Sequence, residues 1–469
     1  MSDNLIVKLF DQKNQFDQKI AYCSEDDSIT FSELKHQSFC AAQFFYDQGI
    51  RPRQVVALYC NDSVMLPVVW CGLILLGAVP LSIPVFDDLE LLNKIVTESN
   101  TKFIVVDDFI PSTNLTQIIL NKQTVFGTKH FDQIYHQLPN DEIFLNLSSG
   151  TSGERKIISQ HRNQLYETFA ETPNPFDLTE NSCAYLLVKL TTGWGITAGL
   201  IGCLAVRYSV FVSKSFDSLR HVDQILKKHK ITHVMLFPKA LSFIYDYFEK
   251  LPDTLERIYV AGEPSNPEFL NNFQKKFNVD TLDNYGCSEV RCWAVLISHR
   301  HHRKFGSLGV PGPGIELRLV DNQNNQVPVG QPGQLVIKHS EIFNGYKNNK
   351  FKSTTNVVDG WFYTQDIMKM DSDGFYYYLG RIETDNPAVD RSSVLKIEST
   401  IENILASQEV IVSRDNENTI AFVIKDLSHL VDSRIHNLVD KLFFVTKIPR
   451  TSGTNKKIRN IEELKKHVA

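Results

Sequence analysis

Leu147-Ser148-Ser149-Gly150-Thr151-Ser152-Gly153-Glu154-Arg155-Lys156 is the stretch around which the chain is organised. It follows an apolar run, Ile143-Phe144-Leu145-Asn146-Leu147, that reads as a buried strand. Glycine tolerates positive φ and lets backbone N–H groups converge on an anion. Hydroxyls add donors for phosphate oxygens, and lysine adds positive charge. The G-x-x-x-x-G-K-[ST] spacing of a Walker loop is missing. Taken alone, the stretch is either a polyphosphate-holding loop or an ordinary Ser/Gly turn between strands.

Working outward, 469 residues exceed what one core usually serves, so two or more domains are expected. A hydrophobic content of 42% and a charged content of 22% belong to an ordinary globular protein. Net charge is -5 and pI about 6.3, which gives no basic field for nucleic acid. The start, Met1-Ser-Asp-Asn-Leu, carries an acid rather than a basic n-region, so a cytoplasmic protein is expected. Residues 64–86 are uncharged, but Pro67, Pro80 and Pro84 interrupt them and leave too short a piece to span a membrane. They read instead as a buried helix running into a strand. The eight cysteines form no C-x-x-C pair, so reduced thiols are expected rather than disulfides or a zinc site.

Strands at 55–60 and 102–106 alternate with helices, among them one from Ser32, as its cap, to about Asp47. The alternation continues with strands at 208–212, 233–237 and 257–260 and helices at 218–229, 239–251 and 267–277. Such alternation predicts an α/β fold with mostly parallel sheets. From about Gly306 the pattern changes to turn-rich β, with Pro311-Gly-Pro-Gly and Gly330-Gln-Pro-Gly. We therefore expect a large N-terminal domain over residues 1–380, containing a β subdomain at about 306–380, and a small, mobile C-terminal α+β lobe over 381–469.

Further clusters follow in fixed order: Ala261-Gly262-Glu263-Pro264, Asn284-Tyr285-Gly286-Cys287-Ser288-Glu289, Gly333-Gln334-Leu335 and Asn344-Gly345-Tyr346. Then come Trp361 to Asp366, Tyr378-Leu379-Gly380-Arg381, and Ile448-Pro449-Arg450-Thr451 with Lys456-Lys457-Ile458-Arg459. Each is weak alone. Together, across about Phe31 to Arg459, the chain resembles the adenylate-forming superfamily of acyl-CoA synthetases, adenylation domains and luciferases. It is nearest to benzoate-type aryl-acid ligases, through its Lys-Leu…Gly-x-Gly pattern and Val279-Asp-Thr-Leu-Asp.

The resemblance implies an enzyme that activates a small carboxylic acid with ATP and Mg²⁺ and passes it to a thiol. Ser149, Thr151, Ser152 and Lys156 would hold the ATP phosphates, and Gly262, Glu263 and Pro264 would line the adenine. Tyr285, between Asn284 and Gly286, would stack on the ring, and Ser288 would contact the α-phosphate. Glu289 would bind the metal, since a hard cation takes oxygen ligands. Asp366 would accept from the ribose hydroxyls, assisted by Arg381, and Lys457, or else Lys456, would be the catalytic lysine. The acid pocket would involve Thr191, Thr192, Trp194, Gly195, Ala261 and Cys287. No aspartate occurs between Glu180 and Asp217 to pair an ammonium, which favours a small aromatic or apolar acid, then a medium-chain fatty acid, over α-amino acids.

The chain departs from the family in places. Arg155 stands where proline is usual, Gln365 where glycine is usual, and Gln334 where glutamate is usual. After Gly380-Arg381 the stretch Ile382 to Ser393 lacks the usual glycine and lysine, and the helix resumes only at Ile397-Glu-Ser-Thr-Ile-Glu402. The acyl acceptor is CoA or the phosphopantetheine arm of a carrier protein, and the altered hinge leans towards the carrier. The alternative is a degenerate member that binds nucleotide or acyl-adenylate without turnover. His299-Arg-His-His-Arg303 reads as a solvated turn, because neighbouring arginines repel a metal cation.

Overall fold

The uncharged segment becomes the helix Met65–Leu76, with all twelve residues buried, followed by the strand Val79–Ser82. A helix apolar on every face must be enclosed. It packs on the helix Phe31–Asp47, and the approach needs Gly72, where an added Cβ would lie 2.8 Å from Ala41 Cβ. Trp70 is fully buried against Phe144 at this centre; truncating such a side chain to alanine costs about 3–5 kcal/mol. The cap of Phe31–Asp47 is Thr30, not Ser32. Its side chain accepts from Glu33 N while the Glu33 carboxylate accepts from Thr30 N, and this reciprocal box outcompetes a serine two residues further in.

The computed structural model describes residues 3–11, 17–86, 88–111, 113–122, 125, 129–138, 140–148, 155–162, 164–213, 221–348, 356–382, 391–405, 407, 409–415, 418–449 and 461–468. The expected phosphate-loop residues Ser149, Thr151 and Ser152, the lysines Lys456 and Lys457, and most of the altered hinge lie outside them.

Four sheets make the architecture. A six-stranded sheet runs in the order 116–119, 103–106, 55–59, 79–82, 142–147, 157–161, all parallel except the last pair. A nine-stranded sheet has a parallel centre, 280–285, 257–260, 233–236, 183–186, 209–211 and 20–23, with short antiparallel edges. The main hydrophobic cluster, with Phe45, Trp70, Phe144 and Trp293, includes residues of both sheets and of the helices beside them. Turn-rich residues beyond 306 form a five-stranded antiparallel sheet that includes Gly333–Lys338, Trp361–Met370 and Tyr376–Arg381.

The fourth sheet, Val410–Asp415, Asn418–Ile424 and Lys441–Val445, has its own apolar clusters. The helix before it begins at Arg391, six residues earlier than its sequence pattern suggests. Asn403 of that helix bonds Asn266 and Glu268 at the start of the helix Pro267–Phe277. Among the described residues no helix is long and apolar enough to cross a membrane.

Candidate active site

The expected residues collect where strands end. Leu147, the turn after Cys183–Leu186, Gly262-Glu263-Pro264 and Tyr285 all follow the carboxyl ends of parallel strands, the usual place for ligands in such sheets. Because Arg257–Val260 and Asp280–Tyr285 are adjacent and parallel, the Gly262 turn and Tyr285 emerge side by side.

The opening stretch bridges an antiparallel pair, Glu142–Leu147 and Ile157–His161. Ser148 N donates to Lys156 O at 2.9 Å, and Lys156 N donates to Ser148 Oγ at 3.1 Å, which closes the base of the loop. Arg155, the departure from proline, is buried with its guanidinium 4.8 Å from the Phe86 ring centre. The Lys156 ammonium lies 4.7 Å from the ring centre of Tyr346, whose hydroxyl donates to Glu289 Oε1 at 2.9 Å. Burial lowers the pKa of Lys156, while the charge of Glu289 opposes that shift.

Tyr346 was legible only as part of a motif; its place between Lys156 and Glu289 was not. Backbone bonds explain that place. Ser159 N donates to Gly345 O and Lys347 N to Ile157 O, fastening this segment to the hairpin. On its other side Phe343 N donates to Glu289 O and Arg291 N to Glu341 O. Residues 341–347 are thus a seam between the loop's lysine and the expected metal ligand.

At the expected ribose ligand, Tyr285 Oη donates to Asp366 Oδ2 at 2.6 Å, and Arg381 Nε lies 3.8 Å from Asp366 Oδ1. Asp366 and Arg381 are cross-strand partners, so the sheet register sets their pairing. Burial, then the Asp366 carboxylate, raise the Tyr285 pKa and keep its hydroxyl a donor. Gln365 takes φ +66°, the left-handed conformation that a glycine would supply without strain.

The turn at Gly193, expected to border the acid, is drawn against Ser288. A Cβ on Gly193 would stand 2.7 Å from Ser288 Oγ, so a larger residue there would make the serine hydroxyl move. Thr191 and Thr192 are buried, and Thr192 Oγ1 donates to Lys189 O at 2.7 Å and accepts from Gly195 N at 3.2 Å. Trp194 packs edge-on to Phe237, and a π-helical segment, Gly195–Gly202, follows. Ala261 is buried at the end of its strand, and burial raises the pKa of the Cys287 thiol.

Three residues at this site went unnoticed in the sequence. Asp62, distant in the chain, accepts from Leu190 N with both carboxylate oxygens at 3.2 Å. Burial raises its pKa to about 6. Arg291 and Asn146 bond each other beneath the Gly193 turn. Arg291 had a signal: it is the one charge in the apolar run 290–297. His299 and His302 pair across a turn whose Arg300 and Arg303 reach Asp280.

This arrangement brings Lys156, Tyr346 and Glu289 into electrostatic reach of Arg381, which pairs with Asp366 beside Tyr285. Residues 9–347 match the profile of the AMP-binding enzyme family, and the chain belongs to that family. A 4-coumarate--CoA ligase-like protein of Arabidopsis thaliana is 24% identical, over 98% of this chain and 90% of its own length. The crystal structure of a benzoate CoA ligase from Burkholderia xenovorans LB400 superposes with a TM-score of 0.83 at 21% identity, over 97% of this chain and 100% of that one. The o-succinylbenzoate coenzyme A synthetase of Bacillus subtilis, solved with ATP and a magnesium ion, gives 0.82 at 18%, over 98% and 99%. At these identities the solved structures speak for the fold.

Proposed function

We propose that this chain is an ATP-dependent, AMP-forming acid–thiol ligase. The observation that carries it is the convergence of Lys156, Tyr346 and Glu289 with Tyr285, Asp366 and Arg381, linked through the electrostatic interactions of Arg381 with Glu289 and Lys156. A carboxylate oxygen of the acid attacks the α-phosphorus of ATP, the bond from that phosphorus to the bridging oxygen breaks, and pyrophosphate leaves. A thiol sulfur then attacks the acyl carbon, loses its proton, and AMP departs with the electron pair. Such chemistry depends on positioning and electrostatic stabilisation more than on proton transfer.

In this reading the 149–156 loop holds the β- and γ-phosphates and Ser288 the α-phosphate. Glu289 supplies carboxylate oxygen to Mg²⁺, which neutralises charge on the leaving pyrophosphate; a carboxylate beside a hydroxyl donor and a lysine suits a hard cation shared with phosphates. Asp366 receives the ribose hydroxyls once Tyr285 releases it to stack on adenine. Residues 381–469 form a separate lobe that delivers Lys457 to the acid and α-phosphate. The relatives named above are CoA ligases, which supports CoA as acceptor ahead of a carrier-protein arm. Their aryl acids support an aryl substrate. Eight free cysteines are in keeping with a cytoplasmic protein.

Acid-dependent exchange of pyrophosphate into ATP tests the first half-reaction. Exchange is expected with at least one aryl acid and is expected to fall about 100- to 1,000-fold in Glu289→Ala, the range for loss of one electrostatic contact to the reacting phosphates. Absence of exchange across aryl, fatty and dicarboxylic acids would overturn the proposal. Thioester formation on CoA and on a holo carrier protein then identifies the acceptor.

A further inference from the structure

Arg155 ends the phosphate loop with a side chain that the adenylation chemistry does not use. It is 7% exposed, and its guanidinium lies 4.8 Å from the ring centre of Phe86. Phe86 is itself fixed by Tyr59: Phe86 N donates to the Tyr59 hydroxyl at 3.0 Å, that hydroxyl donates to Phe86 O, and the two rings pack edge to face. Phe86 also shares an apolar cluster with Leu92, Ile95 and Val96 of the helix Leu89–Glu98 and with Leu147 and Ile157, which flank the loop. Burial lowers the pKa of Arg155, and the carboxylate of Asp88, the cap of that helix, opposes the shift. An arginine stays charged in a protein, and the ring and the carboxylate offset the cost of burying it.

The backbone on either side of Lys156 is held as well. Asn348, 2% exposed, donates from Nδ2 to Arg155 O at 3.3 Å and to Glu98, and its Oδ1 accepts from Ile157 N at 2.5 Å. The bond from Ser148 N to Lys156 O continues the pairing of Leu147 with Ile157, so the chain leaves the loop extended. Successive side chains of an extended chain point to opposite faces. Arg155 accordingly goes to Phe86, while the Lys156 ammonium lies over the Tyr346 ring beside Glu289. Seating the first therefore sets the direction in which the second leaves. A proline here would fix φ through its ring; arginine lacks that restraint and is held by its contacts instead.

We propose that Arg155 is a positioning residue of the phosphate loop: seated on Phe86, it presents Lys156 to the β- and γ-phosphates of ATP without touching them itself. The inference rests on the adenylation reading, which gives the loop its phosphates.

The test measures binding of ATP with Mg²⁺, of pyrophosphate with Mg²⁺ and of AMP to the full chain by calorimetry, alongside pyrophosphate exchange with aryl, fatty and dicarboxylic acids. Arg155→Met keeps an apolar stem and loses the cation. It should weaken ATP and pyrophosphate about tenfold each, the size of a desolvated cation–ring contact, and leave AMP, which lacks the β- and γ-phosphates, within about twofold. Arg155→Lys, which keeps a cation for the ring, should recover most of that loss. Phe86→Leu keeps apolar volume and removes the ring, so it should repeat the Arg155→Met pattern, and the two together should lose little more than either alone. It also covers the case in which an Arg155 variant fails to fold. A merely structural role would weaken AMP as much as ATP, or weaken neither, and either result overturns this inference alone. Binding of ATP by the unaltered chain with no exchange for any acid overturns the ligase reading alone. Neither ATP binding nor exchange overturns both.

Discussion

Tyr285, Asp366 and Arg381, the proposed nucleotide side, interact with one another, whereas Arg291 and Trp194 at the Gly193 turn, and Asn284, near Arg291 in the sequence, hold buried donors without acceptors among the described residues. The first group is internally satisfied, and under the proposed function it exchanges partners when ATP enters. The second is packed into the interior with its spare donors buried.

The sharpest way to break this contrast is Asp366→Ala. It removes the acceptor expected for the ribose hydroxyls and strands the Tyr285 hydroxyl. Loss of charge-assisted bonds of about 2–3 kcal/mol should raise the KM for ATP roughly 30- to 150-fold. The KM for the acid should move less than about threefold if the two sides are independent. Equal effects on both substrates, measured in steady-state exchange, would show that the division is false.

Gly193→Ala attacks the point where the sides meet. The new Cβ would stand 2.7 Å from Ser288 Oγ, and the turn is pinned by Arg291 and by Thr192. Overpacking of about 1–2 kcal/mol should raise the acid KM roughly tenfold, with a smaller change for ATP. A silent Gly193→Ala would mean that the turn gives way and that the Ser288 approach is unimportant.

The contrast also explains what could be read from the chain. Ser288, Glu289, Asp366 and Arg381 stand in short motifs because each must lie at a set offset from a strand end or a cross-strand partner. The parallel sheets were legible for a related reason: strand and helix periods alternate locally. Asp62 and Leu190, or Asn146 and Arg291, are neighbours only through the packing of distant segments, and no spacing records them. The absence of a local aspartate said nothing about Asp62, which reaches the turn from another strand's end. The helix from Arg391 was hidden by an irregular polar pattern at its start.

Asp62, beneath the Leu190 turn, gives the fold a pH dependence. Its pKa is raised from 3.8 to about 6, chiefly by burial, so the folded state favours the protonated form. A raised carboxyl pKa contributes stability that is fully present below about pH 4 and is lost as pH rises through about 6. Asp62→Asn keeps an oxygen for Leu190 N and removes the charge. Between pH 4 and 6 the variant should escape the wild-type decline, and at pH 7.5 it should be more stable by about 1 kcal/mol, the gain being trimmed by the buried amide's own donors. Denaturant melts at both pH values check the sign; a variant less stable at pH 7.5 would show that the charged carboxylate is needed at the turn.

The smallest expected effect is at Gln365, beside Asp366. At φ +66° its Cβ crowds the backbone, at a cost of roughly 1–2 kcal/mol for a non-glycine residue. Glycine would relieve that strain but would release more entropy on unfolding, about 0.5–1 kcal/mol. Gln365→Gly should therefore stabilise the fold by about 0.5 kcal/mol, a shift of about 1 °C in Tm for a chain of this size. Gln365 O accepts from Ile382 N at 2.7 Å, a backbone bond that glycine preserves, so Asp366 and Arg381 should keep their register and ATP its KM within twofold. A larger change in the ATP KM would assign the glutamine side chain a part in nucleotide binding, and the family's glycine would then be replaced here for a functional reason rather than tolerated as strain.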